Sequence, residues 1–142
     1  MKAFRTVAEI QASPERVWAV TIDVERWPEW TASVTSVQRL DSGPFAIGSR
    51  VRLRQPKLPQ AAWQVTELDP IRKRFVWISR SPGVCVTGMH QVDAKGPGSR
   101  ATLSIEFSGL LGPVFVLLTG ALTERYLAIE ANGLKRRSES VA

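Results

Sequence analysis

Cysteine and histidine each occur once in this chain of 142 residues, as Cys85 and His90. A lone cysteine cannot close an internal disulfide, and a lone histidine excludes a zinc centre built from several histidines. The two residues read as lying on one strand at an odd separation, hence on opposite faces, so a Cys–His nucleophile pair is not expected. Also missing are a glycine-rich phosphate loop, a serine-nucleophile motif and any metal-ligand signature. No metal and no cofactor are expected. Met1 to Ile10 lacks the apolar core of a signal peptide, which points to a cytoplasmic protein. The nearly uncharged run from Gly109 to Leu122 is shorter than the roughly 20 residues that span a bilayer, so no transmembrane segment is expected. A content of 44% hydrophobic and 23% charged residues, with no biased tract, leaves an ordinary globular chain, and residues 1–142 are expected to form one domain.

What the chain does have is positive charge, a formal +6 with a pI near 10.2. Polyanion binding requires that charge to be clustered, with aromatic rings interleaved where bases stack. Here Arg50, Arg52 and Arg54 fall in one element, Arg72, Lys73 and Arg74 in another, and Lys135, Arg136 and Arg137 in a third. The tryptophans are not interleaved with them as a stacking platform requires. A solvated basic face is therefore expected, and no nucleic acid.

The order of elements follows from periodicity and breakers. Lys2 to Ile10 reads as a strand with imperfect alternation. Ser13 followed by Pro14 starts a helix that runs to about Ile22, and Asp23 caps a second short helix ending near Pro28. From there the period is two, with strands at Val34 to Leu40, Ser49 to Gln55, Ala61 to Leu68, Arg72 to Arg80, Val84 to Ala94 and Ser99 to Ser108. In the third of these seven strands Val51 and Leu53 face one way and the three arginines the other, so the sheet has a wet face. Short links rich in Pro and Gly imply antiparallel neighbours. A long helix follows Pro113, with few breakers before Gly133, and its apolar stripe of Phe115, Leu118, Leu122, Tyr126 and Ile129 needs a surface to cover. Only this helix is long enough to bury the dry face of the sheet.

Ordered blocks along nearly the whole chain, "SPERVWAVTIDVERWPEW", "GSRVRLR", "VTELDPIRKRFVW", "SRATLSIEFSGLLGP" and "ANGLKRRSE", resemble the SRPBCC or START-like superfamily, in particular its polyketide cyclase/dehydratase-like branch. The resemblance implies an α+β helix-grip fold, a curved antiparallel sheet wrapped around the C-terminal helix and enclosing a hydrophobic cavity. Members bind lipids, sterols, polyketides and other apolar molecules, and some catalyse cyclisation or dehydration. It implies that Trp27 and Trp30 sit on the two-helix segment plugging one end of the sheet, Trp27 inward and Trp30 nearer the mouth. The alternative for both rings is that they simply cap the core.

Alternation then nominates the cavity wall: Trp63 and Val65, Phe75 and Trp77, His90 flanked by Gly88 and Val92, then Ala101, Leu103, Ile105 and Phe107, closed by Phe115, Leu118, Leu122 and Tyr126 from the helix. Members often carry polar groups at inward positions where this chain has Leu103 and Ile105, which favours an apolar ligand over dense catalytic machinery. His90 is the one candidate general acid or base, with Tyr126 or Glu67 as a partner; otherwise it is a hydrogen-bonded residue at the core rim. Three function classes follow: a carrier of a small hydrophobic molecule, a cyclase or dehydratase using His90, and a module making peripheral membrane or protein contact through "GLLGPVFVLLTGAL".

Overall fold

The computed structural model describes residues 2–140. Seven strands, β1 (Lys2–Ile10), β2 (Ser36–Arg39), β3 (Arg50–Arg54), β4 (Ala61–Asp69), β5 (Arg74–Ser81), β6 (Val84–Lys95) and β7 (Gly98–Ser108), form one antiparallel sheet in the order β1-β7-β6-β5-β4-β3-β2. Helix α1 (Pro14–Ile22) and a 3₁₀ helix (Val24–Glu29) connect β1 to β2, and α2 (Gly112–Glu139) follows β7. This is the helix-grip arrangement, with the sheet open at β1 and β2.

Local chemistry sets the element ends. Ser13 accepts from the Arg16 amide at 3.1 Å and so caps α1, while Pro14 fills the first turn where no donor is lost. Gly83 turns β5 into β6 with φ +80°, a conformation costly for any residue with a Cβ. On β3, Val51 and Leu53 are buried and Arg50 and Arg54 exposed, so strict alternation holds there. A bulge between Val65 and Glu67 shifts the register of β4 against β5. Strand β2 is shorter than its apolar pattern predicts, because Val34 leaves the ladder and is buried beside Trp27 under the sheet.

Helix α2 differs most from its sequence reading. It runs on through Gly133 to Glu139, and it is rotated relative to the stripe read from the sequence. The face against the sheet carries Gly120, Leu127, Ala131, Gly133 and Leu134. Gly120 lies against the Phe4 ring, and a Cβ at Gly133 would collide with the carbonyl of Trp30, so both glycines mark close approach rather than an end. The far end of α2 is locked to α1, where the Arg16 guanidinium donates to the Arg137 carbonyl at 3.1 Å, and Arg137 pairs with Glu29 at 2.8 Å. Among the described residues no helix is long and apolar enough to cross a membrane.

Candidate functional site

Between the concave face of the sheet and α2 lies a cavity of about 360 Å³. Its sheet wall is built by side chains that alternation brings to one face: Trp63 from β4, Trp77 from β5, His90 from β6, and Leu103, Ile105 and Phe107 from β7. Gly88 makes room for the Trp77 indole, since a Cβ there would stand 2.8 Å from its Nε1. Trp27 closes one end. Its ring is 1% exposed, its Nε1 donates to the Thr21 carbonyl at 3.1 Å, and its centroid stands 5.3 Å from that of Trp77 and 5.2 Å from that of His90.

From α2 the wall is Phe115, Thr119, Thr123, Tyr126 and Glu130, one residue per turn down one side of the helix. Leu118 and Leu122, nominated for this wall, are not part of it: Leu118 is 74% exposed and Leu122 half-buried on the flank. The need to set Gly120 against Phe4 of the sheet and Gly133 against the Trp30 carbonyl turns the leucines outward. Trp30 is buried under α2 beside Trp27 rather than near the mouth, and Phe75 and Val65 are buried behind the wall. Phe75 nonetheless acts on the site by stacking under His90, with centroids 4.5 Å apart and planes 5° from parallel.

His90 faces neither Tyr126 nor Glu67. The Tyr126 hydroxyl donates to the Pro56 carbonyl and ties α2 to the β3–β4 loop, and Glu67 accepts from Arg74 at 3.0 Å outside the cavity. The partner is Glu130, whose Oε2 lies 3.4 Å from His90 Nε2, an ion-pair distance without hydrogen-bond alignment. Both are buried, at 6% and 9% exposure. A buried carboxylate is costly unless a positive or donating group is beside it, and the His90 imidazole is the group that stands beside Glu130. The sequence offered a signal for Glu130: it stands four residues after Tyr126, on the same helix face. The indole Nε1 of Trp63 and both His90 nitrogens are buried without hydrogen-bond partners. The site is thus a chamber with an apolar sheet wall and a polar row on α2, and with His90 and Glu130 facing one another inside it.

The mouth lies between Leu58 to Gln60 of the β3–β4 loop, Arg80 and Ser81 at the end of β5, and the first half of α2. A second depression, about 630 Å³ and open to solvent, lies near Glu15, Glu67, Lys73 and Arg74. Its cations are already held in the pairs Lys73–Glu15 and Arg74–Glu67, and it offers no apolar enclosure. The inner cavity is the better candidate.

A family model described as polyketide cyclase / dehydrase and lipid transport matches residues 1–139. No curated protein matches the chain. Among solved structures, the Zhui aromatase/cyclase of a Streptomyces species is 18% identical, with a TM-score of 0.80 over 97% of this chain and 93% of that one. The TTHA0849 protein of Thermus thermophilus is 20% identical, with a TM-score of 0.78 over 96% and 97%. Norcoclaurine synthase of Thalictrum flavum is 17% identical, with a TM-score of 0.75 over 96% and 85%. At such identities the likeness concerns the fold.

Proposed function

The chain belongs to the polyketide cyclase/dehydrase and lipid transport family, and from that premise we propose that it binds and carries a small hydrophobic molecule in its internal cavity. The observation that carries this reading is the cavity itself, about 360 Å³, in which aromatic rings and aliphatic side chains of the sheet face a polar row of Thr119, Thr123, Tyr126 and Glu130 on α2. That volume suits a small-molecule site, in which burial against the rings would supply affinity and the polar row on α2 would orient the ligand. The ligand class is lipid-, polyketide- or aromatic-like. Native mass spectrometry of the protein purified from its own host is expected to find such a molecule bound, and N-phenyl-1-naphthylamine, a neutral apolar fluorophore, is expected to compete with it. A protein that emerges empty and takes up no such probe overturns the reading.

A cyclase or dehydratase activity is the second reading, and the 3.4 Å approach of His90 to Glu130 inside the cavity favours it. The family includes aromatase/cyclase enzymes, and Zhui is one by name. An imidazole beside a carboxylate can take a proton from one atom of a bound substrate and return it to another. Affinity for the co-purified ligand and its turnover, measured side by side in the wild type and His90→Gln, separate the two readings. A carrier retains its affinity in the variant and shows no turnover in either. In an enzyme, turnover falls by roughly a hundredfold to ten-thousandfold while binding survives.

A further inference from the structure

The outer side of α2 beside the cavity mouth is unusual for a water-facing surface. Leu110, Leu117 and Leu118 are 95%, 84% and 74% exposed, and Val114 and Leu111 join them at 49% and 44%. Large aliphatic side chains gathered in this way mark a contact surface more often than chance exposure. The segment is held in place rather than frayed. Gly109 turns the chain with φ +98°, and the Leu111 amide donates to the Gly83 carbonyl at 2.8 Å while its side chain packs over Gly83. Leu118 stands one turn from Phe115 of the cavity wall, so the patch borders the mouth.

Exposed cations flank the patch. No acidic residue occurs between Glu106 and Glu124. Lys57 sits in the loop tied to α2 by the Tyr126 hydroxyl, Arg80 lines the mouth, and Lys2 lies beside the first turns of α2, where its strand pairs with Phe107. All three are exposed, and none forms an ion pair among the described residues. A second copy of the chain is a poor occupant, because a two-fold contact through this patch would bring the same cations together. The leucines project outward on a helix, which suits a fluid apolar layer that closes around them.

We propose that this face docks the protein on an anionic lipid bilayer, with the leucines entering the headgroup boundary, Lys2, Lys57 and Arg80 on the phosphates, and the cavity mouth turned to the membrane. The inference rests on a different surface from the cavity and does not depend on what the cavity holds. Vesicle flotation with the full chain tests it, using phosphatidylcholine alone and phosphatidylcholine mixed with phosphatidylglycerol. Binding is expected to the anionic vesicles and to weaken at high salt. Lys57→Glu and Lys2→Glu should each weaken it by about fivefold or more, the effect of losing one basic contact. The Leu110→Glu/Leu117→Glu double variant should abolish flotation while keeping the wild-type melting temperature and N-phenyl-1-naphthylamine uptake. Absence of wild-type flotation with either vesicle overturns the proposal, as does undiminished binding by the double variant. A dimer that the double variant abolishes would assign the face to self-association and overturn it equally.

Discussion

At the scale of single residues, the weight of the fold rests on rings that alternation sends inward. Trp77 and Phe107 are 2% and 6% exposed, and each contacts both the core and the cavity. Truncation to alanine removes most of the ring's burial and enlarges the adjoining cavity, so Trp77→Ala or Phe107→Ala should each cost about 3–5 kcal/mol. Chemical denaturation measures it, and an unchanged midpoint in either variant would refute the facing assigned to its strand. Arg52 is the contrast: it reaches only Gln38, at 3.2 Å on the wet face, and Arg52→Glu should stay within about 0.5 kcal/mol. The inward face of each strand was legible because a hydrophobic pattern of period two settles it, but that pattern does not tell a cavity-lining residue from Val65 and Phe75, which pack behind the wall. The partner of His90 was not legible, because distance across a cavity is set by how α2 lies over the sheet, and no local pattern encodes that. Tyr126 shares a helix face with Glu130, yet its hydroxyl reaches the Pro56 carbonyl at the rim instead.

At the scale of elements, α2 explains both what the pattern reveals and what it hides. The element order, the seven strands and the long terminal helix were legible because breakers and periodicity coincide at nearly every boundary. The rotation of α2 was not, because its apolar residues serve two surfaces, the sheet and the exposed patch, and the stripe through Leu118 and Leu122 mixes them. Glycine shows where the true contact face lies. Gly133 is buried in mid-helix with the Trp30 carbonyl pressed against its Cα. Helix propensity alone says that Gly133→Ala should stabilise by about 1 kcal/mol. The new methyl group, however, would meet backbone rather than a flexible chain end, and overpacking of this kind costs about 1–3 kcal/mol. The expected outcome is a net loss of stability with a lowered melting temperature; a gain would mean that α2 can slide off the Trp30 segment without cost.

Acid sensitivity belongs to the molecule as a whole, because two carboxylates join distant parts of the chain and a third closes the β2–β3 hairpin. Glu9 is held by the Arg100 guanidinium and then Lys95, Asp41 by the Arg50 amide and then Arg39, and Glu139 by the Gln11 amide and then Lys135; each has its pKa lowered by these bonds. A group whose folded-state pKa is depressed contributes stability above its unfolded pKa, about 3.9–4.3 for Asp and Glu, and loses it as pH falls. The melting temperature should therefore stay level from neutral pH to about 5 and drop below about 4. Glu139→Gln, which keeps an acceptor for the Gln11 amide but has no carboxylate to protonate, should make that drop shallower; an acid limb as steep as the wild type's would show that the ionisation of Glu139 adds nothing.

Filling the cavity tests whether the interior space, rather than the surface, is what the fold is built to offer. Thr119 faces the chamber from α2, half-buried, and its hydroxyl donates only to the Phe115 carbonyl of its own helix, at 2.7 Å. That bond competes with the helix and leaves no buried group unpaired when it is lost. Thr119→Phe would direct a ring into the space of about 360 Å³ between α2 and the sheet. Burial of the ring then favours the folded state, so the melting temperature should hold or rise. A ligand that binds only the folded protein stabilises it by mass action, by about 2.7 kcal/mol at a hundred times its Kd. Wild-type protein should show such a shift with N-phenyl-1-naphthylamine, and Thr119→Phe should lose it, with affinity down by about tenfold or more, since roughly 1.4 kcal/mol of burial is enough for that factor. Loss of the shift in a variant that remains folded locates the ligand in the chamber. Retention of full affinity would place the probe elsewhere and remove the cavity as the basis of function.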